Sequence, residues 1–175
     1  FKKNWDPKLG GFGYASKGPA HGQLRATGLT GAGTLSMQFL GAGNADETQA
    51  ALLFLQERRN TFVWEKASWR QIYYWYYDTQ ARFHAGGRIW KEWNRLFAAE
   101  LVKNQTVLKG EGVNGNDIGY WTTKEDRHGL VMNTTLCALM LQVYYRYLPT
   151  YKPPKVIEEE EVALEEEDIE IEISL

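Results

Sequence analysis

The sequence predicts an all-α fold: about five main helices arranged as helical hairpin repeats, with an extended acidic C-terminal tail that can add as a strand. Three observations predict it. The segment Gln71–Gly87, QIYYWYYDTQARFHAGG, packs six aromatics into Tyr73–Phe83 and has almost no polar face. A surface helix shows one apolar stripe, so a helix apolar nearly all round belongs inside an assembly. Charge-poor segments of this kind recur along the chain, and two of them are followed by segments with a clean amphipathic stripe. Polar residues (Gln71, Asp78, Gln80, Arg82) interrupt the aromatic run, which is also too short to cross a membrane.

Residues 1–26 read as loop, with Gly10, Gly11 and Gly13 around Phe12 and with Pro7 and Pro19 as breakers. Thr27–Leu40 is the first inner helix. Its Leu29, Ala32, Ser36 and Phe39 share one face, and Gly28, Gly31, Ala32 and Gly33 are small enough for another helix to approach closely. Glycine costs a helix up to about 1 kcal/mol relative to alanine, so close packing is the reason to keep three. Gly41 suits the C-terminal cap. Asn44 with Glu47 has the capping-box pattern and opens an outer helix, Asp46–Arg59, with Ala51, Leu52, Phe54 and Leu55 as its stripe.

Ser68 with Gln71 opens the aromatic helix in the same way, and Gly86-Gly87 closes it. Burial is expected for Trp75, Tyr76 and Phe83. Ile89–Lys103 follows as an outer helix, with Ile89, Trp93, Leu96, Phe97 and Leu101 on one stripe. A long loop, Asn104–Leu130, carries Gly119-Tyr120-Trp121. Asn133 then caps a last apolar helix, Thr134–Leu148, with Leu136, Leu139, Met140, Val143 and Tyr147 on its stripe and Pro149 at its end. The domain spans 1–150, a proline-containing linker 151–155, and an acidic tail 156–175. The tail ends in a strict alternation, Ile169, Ile171, Ile173 and Leu175 against Glu170, Glu172 and Ser174, the pattern of a half-buried strand that adds to a sheet edge.

The formal charge of −2 hides a split. Residues 1–155 carry all 20 Lys and Arg with 12 of the 22 Asp and Glu, a net +8, whereas 156–175 carries 10 acids and no base. Such a tail suits docking on its own body or on a neighbour's. The cations are scattered, with no run longer than two, which argues against nucleic acid. A single cysteine, Cys137, excludes an internal disulfide framework. No 18-residue apolar stretch occurs. The sequence opens at Phe1 rather than Met, consistent with a processed or partial product, so the compartment stays open and is extracytoplasmic if a leader has been removed.

An internal repeat orders these elements. Gly11-Phe12-Gly13-Tyr14, Phe62-Val63-Trp64 and Gly119-Tyr120-Trp121 each precede an inner helix. The residues GGFGY before RATGLTGAGTLSMQFLG, then WRQIYYWYYDTQARFHAGG with IWKEWNRLFAAELVKNQ, then IGYW before TTLCALMLQVYYRYLP, resemble the prenyltransferase and squalene-cyclase repeat superfamily. Asn104-Gln105 followed by Gly119-Tyr120-Trp121 is similar to the Gln…Gly…Trp element of those repeats. The resemblance covers about residues 10–150 and implies an α/α toroid. It implies too that the chain is the C-terminal part of a ring or a half-ring that needs a partner, because a complete toroid has about twice as many helix pairs.

The chemistry implied by that resemblance is not matched residue by residue. Cyclases of the superfamily use a D-x-D-D acid, and no Asp-x-Asp occurs here. The protein prenyltransferases hold zinc with Asp, Cys and His. Here Cys137 lies on an apolar helix, with His21, His84 and His128 as the histidines, and a buried structural thiol is the simpler reading, so no metal or other cofactor is expected. The thioester element Gly-Cys-Gly-Glu-Gln is absent. Weak catalytic candidates are Asp78, His84, Asp126 and His128, with Asp117 and Glu125 in the same loop as the last two. Asp78 reads more simply as the i,i+4 partner of Arg82, and His84 as a helix-end cation. Tyr73, Trp75, Tyr76, Tyr77 and Trp121 are candidates to line a ligand pocket, although an aromatic stripe is more often core. Asn104 and Asn133 open N-x-Thr sequons, the second read as a helix cap.

The function expected from these residues is a non-catalytic α/α-toroid module, a structural or protein-binding subunit of a larger assembly. Self-association or a protein partner would engage it, in part through the tail and its Ile169, Ile171, Ile173 and Leu175. The alternative is an enzyme or carrier for a hydrophobic isoprenoid-like substrate. A third reading is an extracellular recognition module of the thioester-domain type.

Overall fold

A computed structural model of the chain describes residues 2–13, 23–58, 62–124 and 129–146. Tyr14, Glu125, Asp126, His128, the linker, and the tail with its strand pattern lie outside the described residues. The fold is all-α. Its long helices are α1 (Gln23–Phe39), α2 (Asp46–Glu57), α3 (Trp69–Ala85), α4 (Gly87–Lys103) and α5 (Gly129–Leu141), with a short α6 (Val143–Arg146) after α5. Two small antiparallel pairs and three short 3-10 turns (Lys2–Asn4, Trp64–Lys66 and Val113–Gly115) complete the described elements. Trp5–Asp6 (β1) pairs with Gly11–Phe12 (β2), and Thr106–Leu108 (β3) pairs with Ile118–Tyr120 (β4).

The helices form two layers. Gly28 meets Tyr74, Gly31 meets Asp78, and Gln38 bonds to Ala81, so α1 and α3 run side by side in the same direction. On the other side of α3, Ile72 and Trp75 share a core with Cys137 and Met140, and Phe83 meets Tyr144 beyond them, so α5 runs the same way. α4 returns antiparallel to α3, because Thr79 meets Trp93 while Phe83 meets Trp90. α2 returns from α1 through the turn at Gly41. Gln56 of α2 donates to Glu92 of α4 at 3.2 Å, which joins the two return helices. The inner row is therefore α1–α3–α5, with α2 and α4 outside it, and α3 packs on all four.

Three signals read from the sequence explain the element ends. Gly41, at φ 76°, closes α1 with the paired bonds Ala42 N–H to Met37 O and Gly41 N–H to Gln38 O. Ser68 and Gln71 form the reciprocal cap of α3, the Ser68 N–H donating to Gln71 Oε1 at 3.1 Å. Gly86, at φ 66°, ends α3 and lets α4 start at once.

Several expectations are corrected. α1 begins at Gln23, inside the segment read as loop, and the β1–β2 pair precedes it. Its buried residues are not those of the Leu29–Phe39 stripe. Thr30, Gly31, Thr34, Leu35, Met37 and Gln38 are buried, while Phe39 is exposed, because the glycine-lined side was the one that needed contact. Asn44 does not cap α2. Ala45 stands at that position, and Thr48 Oγ1 and Gln49 Nε2 hold the preceding loop by bonding to Ala42 O and Gly43 O. α2 ends at Glu57 rather than Arg59. The long loop contains the β3–β4 hairpin. α5 starts at Gly129, so Asn133 is a buried residue within the helix and not its cap.

The main core lies between α3, α4 and α5. Phe62, Ile72, Trp75, Trp93, Phe97, Leu101, Trp121, Cys137 and Met140 fill it. Of the predicted stripe of α4, Trp93, Phe97 and Leu101 are fully buried, whereas Ile89 and Leu96 are half-buried. The aromatic loops seat the inner helices in comparable ways. Phe12 N–H donates to Thr30 Oγ1 of α1 at 3.0 Å, and Trp121 N–H donates to Thr134 Oγ1 of α5 at 3.2 Å. Between them, Phe62 stacks on Trp75 of α3 at 3.9 Å.

Candidate functional site

The aromatic helix divides its residues in an unexpected way. Its buried positions are mostly polar: Asp78, Thr79, Gln80, Arg82 and His84 join Ile72, Trp75 and Ala81. Of the predicted buried aromatics, Trp75 is buried, whereas Tyr76 and Phe83 are only half-buried. Tyr73 and Tyr77 occupy the side of α3 turned away from α2 and α4, while Tyr74 meets Gly28 of α1 and Tyr76 packs on the main core. This follows from neighbours on the other sides: Tyr74 and Asp78 face α1, and Thr79 and Arg82 face α4 and α2. Tyr73, Tyr77, Gln80 and His84, at i, i+4, i+7 and i+11, take the remaining side.

The rings there form a connected cluster. Tyr73 meets Tyr77 edge to face at 5.0 Å, Tyr76 meets Tyr77 at 5.1 Å, and Tyr73 meets Tyr74 at 6.1 Å. The hydroxyls of Tyr73 and Tyr77 share a long hydrogen bond of 3.4 Å. That bond, followed by burial, pushes Tyr77 up to about 12, so its phenol stays neutral near pH 7. The half-buried Leu29, Ala32 and Ser36 occupy the corresponding open side of α1.

Beneath this face runs a buried polar seam between α1 and α3. The Asp78 carboxyl presses on Gly31, where a Cβ would come within 2.1 Å of Oδ1. Asp78 Oδ1, Thr34 Oγ1 and Gln38 Oε1 are buried and have no hydrogen-bond partner among the described residues. Burial pushes the Asp78 carboxyl up to about 7, against a lowering by the Arg82 charge. Arg82 acts on Asp78 through its charge, as the i,i+4 spacing predicts, without a direct contact between them. The guanidinium instead donates to the Leu55 carbonyl of α2 and lies 4.1 Å above the Trp93 ring, which draws it away from α1.

The reading of His84 is corrected. Burial between Phe39 (ring centroids 5.0 Å) and Phe83 (5.9 Å) pushes it down to about 4, so it is neutral near pH 7 and does not act as a helix-end cation. Asp78 and His84 are both on α3, but Asp78 packs on Gly31 and the buried His84 on Phe39, so the fold does not bring them together as an acid–base pair.

The remaining candidates are structural. Trp75 lies in the core, and Trp121 does too, with its Nε1 donating to Leu101 O at 2.8 Å. Neither lines a surface. Burial pushes the Cys137 thiol up, away from thiolate character. Asp117 pairs with Lys109 at 2.6 Å on the exposed hairpin, and that hydrogen bond holds its carboxyl below the usual range. Asn104 caps α4 by donating to Glu100 O at 2.8 Å, and buried Asn133 offers no accessible amide for glycosylation. Among the described residues no group of three or more His, Cys, Asp or Glu could hold a metal ion, and no helix is long and apolar enough to cross a membrane.

Two residues of the seam, Thr34 and Gln38, escaped the sequence reading. The signal was there: Thr30, Thr34 and Gln38 recur at i, i+4 and i+8 in a glycine-rich helix. Comparison of the chain with protein-family models, curated proteins and solved structures gives no match.

Proposed function

We propose that this chain is a non-catalytic helical-repeat module of the α/α-toroid type, serving as a structural or protein-binding subunit of a larger assembly. The observation that carries the reading is the tyrosine cluster on the open side of the middle inner helix. Tyrosine supplies large, rigid contact area with a polar tip, and it is enriched where proteins meet. The row α1–α3–α5 with its return helices, and the repeated seating of aromatic loops on inner helices, support the toroid-type arrangement.

The test is the mass of the chain in extracts of its native source. A stoichiometric complex well above the 20.1 kDa of one chain is expected, and the double variant Tyr73→Ala/Tyr77→Ala should lose it while keeping its helical circular dichroism. A monomer in the native extract overturns the reading.

The same tyrosines favour a second reading, a carrier for a hydrophobic isoprenoid-like ligand. An enzymatic version would need an acid at that face, and Asp78, 1% exposed, is covered by α1. Protection of the tyrosine hydroxyls from acetylation by a polyprenyl alcohol would support the carrier. Unchanged acetylation at saturating ligand would dismiss it.

A further inference from the structure

We propose that the acidic segment Glu158–Asp168 docks on the exposed face of α4 of the same chain, where Arg88, Lys91 and Arg95 form a basic stripe. The docking is intramolecular and stands apart from the assembly reading above.

Arg88, Lys91 and Arg95 lie at i, i+3 and i+7, on the side of α4 opposite the buried Trp93, Phe97 and Leu101. All three are exposed, the Arg88 side chain at 80%. The stripe is short of counter-charge. Arg88 has a loose 3.8 Å pair with Glu92, whose carboxylate also accepts from Gln56. Among the described residues no ion pair holds Lys91 or Arg95. Several cations elsewhere are already engaged: Arg58 lies over Phe54, Lys103 pairs with Glu100 at 3.7 Å, and Lys109 pairs with Asp117 at 2.6 Å. Like charges three and four residues apart destabilise a helix. Arg88 and Lys91 also stand near the positive end of the α4 dipole, and the first turn holds no acid to offset them. An anionic segment laid along the stripe relieves both costs.

Charge and position together name the occupant. Residues 156–175 carry 10 acids and no base, and eight of those acids form two runs, Glu158–Glu161 and Glu165–Asp168. The described chain meets α4 shortly before that segment. Tyr144 Oη donates to Asn94 Oδ1, and the Tyr144 ring lies 5.5 Å from that of Trp90. Asn94 is one turn from Lys91, at the flank of the stripe. Eleven residues separate Arg146 from Glu158. At up to about 3.5 Å each they reach any part of a stripe about 10 Å long. The acids are therefore presented to the cations at the high effective concentration of a short tether. Ile169–Leu175 lies beyond the docked acids and stays open to a partner.

Carbodiimide coupling of an equal mixture of isotopically light and heavy full chains tests this at low ionic strength, with Lys109 and Asp117 as the built-in positive pair. Lys91 is expected to couple to an acid of 158–168 within one chain, light to light and heavy to heavy. The coupling should fall as added salt shortens the screening length from about 10 Å toward about 3 Å. In parallel, a glutamate-specific protease should cut the tail about fivefold or more faster in Arg88→Gln/Lys91→Gln/Arg95→Gln than in the parent at low salt, with unchanged circular dichroism. Coupling of Lys109 to Asp117 with none at Lys91 overturns the proposal. So does Lys91 coupling that pairs light with heavy chains at random, which would assign the stripe to a neighbour's tail. Equal cleavage rates in parent and variant overturn it as well.

Discussion

Replacing Asp78 with Asn should remove a pH dependence of stability that the seam between α1 and α3 imposes. The carboxyl is 1% exposed, lies against Gly31, and is pushed from 3.8 to about 7. The folded chain therefore holds this proton over a window in which the unfolded chain has released it. Stability is largest below the unfolded value and falls as pH rises from about 4 to about 7, by at most about 1.4 kcal/mol per unit, or about 4 kcal/mol across the window. His84 runs the other way. Its value is lowered from 6.5 to about 4, so the unfolded chain takes up the proton first and stability rises with pH between those values. The parent curve is thus flattened below about 6.5, and the difference between variant and parent is the informative quantity. Urea unfolding followed by circular dichroism at pH 4.5, 6 and 7.5 should show Asp78→Asn gaining on the parent at each step. Two curves that stay parallel across the three pH values would refute the claim that Asp78 is held protonated in the seam.

Three further outcomes follow from the packing. Gly31→Ala should lower stability by about 1–3 kcal/mol despite the better helix propensity of alanine, because the new Cβ would lie 2.1 Å from Asp78 Oδ1 and 2.9 Å from its backbone nitrogen; thermal unfolding that shows a gain refutes the close approach. Trp75→Ala removes a buried ring stacked on Phe62 at 3.9 Å and should cost about 3–5 kcal/mol in urea unfolding, with a loss below 1 contradicting its place in the core. Deleting 156–175 should weaken association in a salt-sensitive way, read by sedimentation at low and high ionic strength, since the deletion removes 10 acids from a chain whose remainder is positively charged. An unchanged sedimentation profile would remove the tail from the interface.

The helices were legible because their signals are local. Amphipathic spacing fixed the buried stripe of α4, and Gly41, Ser68 with Gln71, and Gly86 marked ends that the fold uses. Asn44 misled because a capping pattern competes with neighbouring anchors, and Thr48 and Gln49 had already fixed that turn. The buried side of α1 was misread because apolar residues were taken as the inward ones. There the closeness of α3 mattered more, and glycine with threonine meets that demand where leucine cannot. The same inversion governs α3. Counting aromatics placed it correctly at the centre of the helix row, but Tyr73 and Tyr77 lie on the open side, and Asp78, Thr79 and Arg82 are in contact with other helices. Arg82 and Asp78 satisfy the i,i+4 spacing of an ion pair, yet the Leu55 carbonyl and the Trp93 ring compete for the guanidinium, and neither competitor is visible from spacing.

The notch at Gly31 gives the polar seam a structural reason. Burying a carboxyl oxygen without a hydrogen bond, as at Asp78 Oδ1 among the described residues, costs stability, and the seam sets that cost against an alternative packing. The alternative here is a slip of α1 along α3. Shifting by one turn in either direction would set Thr27 or Leu35 against Asp78 in place of Gly31, and the space there does not admit even a Cβ. Gly28 repeats the constraint one turn earlier, where a Cβ would fall 1.7 Å from the Tyr74 ring. Two notches a turn apart, each matched to a bulky or polar group on α3, define one register for a pair of helices that hydrophobic burial alone would leave free to slide. That register aligns the open sides of α1 and α3, and with them the tyrosine face. The polar seam and the candidate binding surface are thus linked through a single helix, with the first fixing the position of the second.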